Sequence, residues 1–116
     1  MDYSFDKKTV KVNGKTLTFD LNIDTILEKD NVLMILLYGG GEQSTCKTYH
    51  SRNIFGVSAE GEILWQVEAP TKDPVDLYTG LFEEEGQVIG GAWSGGDCWI
   101  DPKTGEVLKK VFRPFG

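Results

Sequence analysis

Along most of this chain apolar and polar residues alternate with period two, and glycine-bearing corners interrupt the alternation, a pattern that predicts hairpins rather than helices. Thr9-Val10-Lys11-Val12 and Lys15-Thr16-Leu17-Thr18-Phe19 flank Asn13-Gly14, a pair suited to the tight turn that needs positive φ at both central residues. Val10, Val12, Leu17 and Phe19 are expected on a buried face, with Lys11, Thr16 and Thr18 on a wet one. Residues 20–30 read as irregular structure with one turn. Val32 to Tyr38 has no polar alternation at all, which predicts a strand buried on both faces. Further hairpins are expected from Asn53–Ser58 with Glu62–Glu68, Leu77–Glu83 with Gln87–Trp93, and Cys98–Asp101 with Glu106–Phe112. In the strand 62–68, period two puts Ile63, Trp65 and Val67 on one face, with Trp65 in the core.

One of these hairpins is used twice. Phe55-Gly56-Val57-Ser58-Ala59-Glu60-Gly61-Glu62-Ile63-Leu64-Trp65-Gln66-Val67 is matched by Cys98-Trp99-Ile100-Asp101-Pro102-Lys103-Thr104-Gly105-Glu106-Val107-Leu108-Lys109-Lys110-Val111. A strand, a Ser or Asp, a short turn, Gly-Glu and two branched apolar residues recur in that order. The predicted fold is all-β: nine or ten short antiparallel strands in one β-sandwich or open barrel built from two similar units, with residues 1–116 as one domain.

The run Asn53 to Trp65 resembles the outer hairpin of the PQQ-type β-propeller repeat, and Ile100 to Leu108 resembles the same element with Lys109 in place of its Trp. The resemblance implies blade-like units. Two units do not close a ring, so the family's quinone cofactor is not carried over and no cofactor is expected.

Composition changes the picture mainly through charge. The net charge is -6, with residues 1–15 at +2, residues 103–116 at +3 and residues 16–102 at -11. Nucleic acid and anionic membranes require clustered Lys or Arg, so an acidic body argues against both as partners. It favours a basic protein. The N-terminal residues lack a signal-peptide core and the longest apolar run is seven residues, far below the ~20 needed for a membrane span. The expected compartment is the cytoplasm, with Cys46 and Cys98 reduced.

Chemistry-bearing patterns are sparse. The lone His50 lies in Cys46-Lys47-Thr48-Tyr49-His50, a spacing that specifies neither a metal site nor a nucleophilic pair. Gly39-Gly40-Gly41 lacks the Gly-Lys-Ser/Thr order of a phosphate loop. Glu83-Glu84-Glu85 sits at a predicted hairpin tip, where a solvated patch or an electrostatic contact is expected. The reading that follows is a non-enzymatic protein-binding module with the profile of an immunity or inhibitor protein that neutralises a basic partner such as a nuclease toxin. Its expected contacts are Asp73, Asp76, Glu83, Glu84, Glu85 and Asp97, with Tyr78, Trp93 or Trp99 as aromatic anchors. Two alternatives stand beside it. One is a small enzyme or metal- or ligand-binding module using the Gly39–His50 loop with Cys98; the other is a subunit of a larger β-assembly.

Overall fold

A computed structural model describes residues 1–38 and 51–112. Among them are eleven strands and no helix. The strands are β1 (Tyr3–Asp6), β2 (Thr9–Val12), β3 (Lys15–Thr18), β4 (Ile23–Lys29), β5 (Val32–Leu37), β6 (Ile54–Val57), β7 (Ile63–Gln66), β8 (Tyr78–Glu84), β9 (Gln87–Ala92), β10 (Gly96–Ile100) and β11 (Val107–Phe112). They form three antiparallel meanders in chain order: β1-β2-β3, β4-β5-β6-β7 and β8-β9-β10-β11.

The middle sheet explains the architecture. In β5, Leu33, Ile35 and Leu37 join Val10, Val12, Phe19, Phe55 and Val57 in one core between the first and second sheets. Val32, Met34 and Leu36 point the other way and join Ile54, Trp65, Tyr78, Leu81, Val88 and Ile100 in a second core. The unbroken apolar run of β5 is therefore what a central strand covered on both sides requires. The second sheet thus carries a core on each face, one shared with the first sheet and one with the third, a sandwich-like arrangement of three sheets.

Two elements differ from the sequence expectation. Residues 23–29, expected to be irregular, form a strand that reaches β5 through a tight turn with positive φ at Asp30 (51°) and Asn31 (64°). Tyr3–Asp6 also forms a strand, pairing with β2. Ile23–Lys29 lacks clean period-two patterning and Tyr3-Ser4-Phe5-Asp6 alternates over only four residues, so in both cases the partner strand supplies the ordering that local sequence does not. Asn13-Gly14 turns as expected, with φ of 48° and 88°.

The two copies of the hairpin turn through equivalent bonds, the second corner being one residue longer than the first. Ser58 N donates to Glu62 O, and Asp101 N donates to Glu106 O. Gly61 N donates to Ser58 O, and Gly105 N to Asp101 O. Both glycines take nearly the same left-handed φ, 78° and 77°. Trp65 is core, as expected, and its ring is pressed between two glycines. A Cβ built on Gly56 would lie 2.2 Å from the indole, and one on Gly105 would lie 2.4 Å from it. Ile63, expected beside Trp65, is instead half exposed. The ladder pairs Val57 with Ile63 and Gly56 with Trp65, so Leu64 is an extra residue in a bulge that breaks the alternation.

Candidate functional site

The second and third sheets are locked together by buried polar groups. Asn53, fully buried at the start of β6, donates through Nδ2 to Leu37 O and Tyr78 O, and its Oδ1 accepts from Tyr78 N. Asp76, 1% exposed, accepts four hydrogen bonds: from Thr71 Oγ1, Leu77 N, Ser94 N and Ser94 Oγ. The Asp76 carboxylate thereby ties the loop before β8 to the turn between β9 and β10. Tyr78 is fully buried and its hydroxyl donates to Glu68 O at 2.8 Å. Asp76 and Tyr78 were expected to touch a partner. Their burial corrects that: both carry structure, and neither reaches the surface.

The remaining expected contacts divide among four places. Glu83 lies on the core side of β8, where its Oε2 meets Lys29 Nζ of β4 at 2.8 Å. That hydrogen bond, set against the cost of burial, holds the Lys29 ammonium above its ordinary range. Glu85 occupies the β8–β9 turn with φ 52°. Trp93 stands in the β9–β10 turn at the opposite end of the sheet, 67% exposed, and Asp73 sits in the exposed loop nearby. Glu84, Asp97 and Trp99 alone are brought onto one surface, the face of the third sheet turned away from the second.

Cross-strand register builds that face. Phe82 pairs with Ile89, Ile89 with Trp99, and Trp99 with Lys109, so four strands contribute one continuous row. The adjoining row is Gly80, Gly91, Asp97 and Val111. Side-chain positions agree: a Cβ on Gly91 would meet the Asp97 carboxylate at 3.8 Å, while one on Gly90 would run into Tyr78 in the core. Over Gly80 a Cβ would meet nothing within 4 Å. Phe82 is 40% exposed and belongs to neither core, and Trp99 is half-buried. Ile89 between them is shielded by its neighbours. Glu84 and Asp97 share this face by period-two alternation on β8 and β10, and Asp101 follows the end of β10, its Oδ1 accepting from Lys103 N. Lys109 places its ammonium 4.9 Å from the centre of the Trp99 ring.

Sequence reasoning missed Phe82, Ile89, Asp101 and Lys109. Period two alone aligns Phe82 with Glu84 and Trp99 with Asp97, but joining them across strands requires the register.

Cys98 lies on the core side of β10, 2% exposed. Burial is the first cause raising its thiol pKa, against the neighbouring Tyr78 hydroxyl, which lowers it. A neutral, enclosed thiol is a poor nucleophile and a poor metal ligand. Cys46, His50 and the rest of the Gly39–His50 loop lie outside the described residues. Among the described residues, no group of three or more His, Cys, Asp or Glu side chains is arranged to hold a metal ion. No helix among them is long and apolar enough to cross a membrane.

Comparison with known proteins gives kinship without a function. A family defined as a domain of unknown function, DUF7957, matches residues 1–112. The chain belongs to the DUF7957 family. No curated protein matches it. Among solved structures, the computationally designed Ika8 protein is similar in fold, with a TM-score of 0.56 and 18% identity. The match covers 94% of this chain and 35% of the designed one, so this DUF7957 chain spans about a third of that protein's length.

Proposed function

We propose that this DUF7957 chain is a non-enzymatic protein-binding module that meets a basic partner through the outer face of its third sheet. The role that best suits such a module is that of an immunity or inhibitor protein acting on a cationic toxin, such as a nuclease, in the cytoplasm. One observation carries the reading. The Phe82–Ile89–Trp99 row lies on a sheet face with Glu84, Asp97 and Asp101 around it. Interfaces are built this way, with aromatic anchors at the centre and polar groups at the rim. Carboxylates in that rim take the places of the phosphates a nuclease's basic site binds, and the -11 charge of residues 16–102 steers the encounter.

The equivalent turn bonds of the two hairpin copies and the seating of Trp65 between Gly56 and Gly105 support kinship with PQQ-type repeats at the level of the repeat unit. A sandwich-like arrangement of three sheets supplies no ring in which to hold a quinone, so the kinship adds no chemistry to the proposal.

The test is affinity capture from the native cell on the immobilised chain, run beside the Glu84→Lys/Asp97→Lys variant. The reading expects one strongly basic protein, retained by the original chain, lost on the variant and released by salt. Equal capture on both, or capture indifferent to ionic strength, would sink it.

A further inference from the structure

We infer that the cleft where the β4–β5 turn of the second sheet meets the end of the third, at the margin of the outer face, is a seat for a single arginine side chain, with the Lys109 ammonium as its internal stand-in. This rests on the outer-face reading above and narrows it from a charged surface to a defined receptor for one residue of the partner.

Three observations converge there. The Lys109 ammonium already sits 4.9 Å from the Trp99 ring centre, so this ring face accepts a cation. The same two residues line a cleft of about 360 Å3, together with Gln87, Pro102, Leu108 and Asp30. The other cation in its wall, Lys29, is already neutralised by Glu83 at 2.8 Å.

The lining matches an arginine in parts. Pro102 and Leu108 offer apolar surface for the three methylenes. The indole offers a plane on which a guanidinium stacks. The Asp30 carboxylate and the Gln87 side-chain carbonyl accept its N–H groups. A guanidinium is planar and less strongly hydrated than an ammonium, so it gains more from this ring than Lys109 does. An exposed cation–π contact is weak and Lys109 hangs on a flexible stem from an edge strand, so exchange is easy. The tethered lysine keeps the aromatic face covered when no partner is bound.

The probe is an acetylated tetra-arginine amide titrated into the full chain at low salt, followed by calorimetry. The Lys109→Met variant should bind it about 3- to 5-fold more tightly, since the internal competitor is gone. Asp30→Asn and Trp99→Leu should each weaken it by about 5-fold, and tetra-lysine should bind less tightly than tetra-arginine. Lys109 is exposed, so Lys109→Met decides the matter even where Trp99→Leu fails to fold. Binding unchanged in Lys109→Met and Asp30→Asn but abolished by Glu84→Lys/Asp97→Lys would overturn the seat and leave the acidic outer face standing. No binding by either the original chain or Lys109→Met would overturn both.

Discussion

Trp65 Nε1 donates to the backbone carbonyl of Pro102 at 2.9 Å, joining the last strand of the second sheet to the repeated corner of the third. The ring that makes this bond is also the one held between Gly56 and Gly105. One copy of the duplicated hairpin supplies the tryptophan, and the other supplies its seat. Glu68 strengthens the junction, its backbone N–H donating to Gly105 O and its carboxylate accepting from Val107 N.

Trp65→Ala should therefore cost about 3–5 kcal/mol, measured by urea or thermal unfolding. Gly105→Ala should cost about 2–4 kcal/mol, because it adds a methyl against the indole at a left-handed φ. The two losses should not add, since removing the ring removes the clash, and the double variant should recover about 1 kcal/mol or more relative to the sum. Strict additivity would show that the ring and the glycine do not meet.

Asn53→Leu keeps the branched shape and the number of heavy atoms and removes three hydrogen bonds at once. Leu37 O, Tyr78 O and Tyr78 N then lose the Asn53 partner between two packed sheets. Each buried group left unsatisfied costs about 1–3 kcal/mol, so the loss should be at least about 3 kcal/mol. A variant as stable as the original by chemical denaturation would refute this role.

Asp76→Ala should destabilise the protein by about 3 kcal/mol, because four donors lose one acceptor group. The consequence should be local: hydrogen exchange should quicken at Trp93, Ser94 and residues 71–77, whose conformation the carboxylate fixes. Exchange raised uniformly through the first sheet instead would show that Asp76 does not act locally.

Cys98 and Tyr78 should make the folded protein lose stability at alkaline pH. Burial is the largest cause raising both, from ordinary values of 9.0 and 10.0. An acid whose folded pKa is raised contributes stability that is complete below its unfolded pKa. As pH climbs past 9 and then 10, the unfolded chain ionises first and that stability is lost. Unfolding free energy should hold steady from pH 7 to 8.5 and fall above it, and Cys98→Ala or Tyr78→Phe should flatten the fall. In the same folded range, Cys98 should resist alkylation until denaturant is added. Rapid labelling of native protein at pH 8 would contradict its burial.

Much of this was legible in the residues. The Asn13-Gly14 turn, the doubly apolar β5 and the twice-used Gly-Glu corner each have a local cause: a required φ, a required burial or a required turn bond. The sequence thus determined an all-β chain, its main hairpins and Trp65 as core. Whether Asp76 and Glu83 were surface charges was not legible, because a carboxylate's exposure depends on what the neighbouring sheet brings to it. Burial of Asp76 and pairing of Glu83 with Lys29 are facts of packing between segments far apart in the chain. The outer face has the same origin. Phe82, Ile89, Trp99 and Lys109 lie on four strands and become one row only when register sets them side by side. Period and turn chemistry act over a few residues, so the sequence alone fixed them; register and layer order are long-range contacts, and only the tertiary structure decided those.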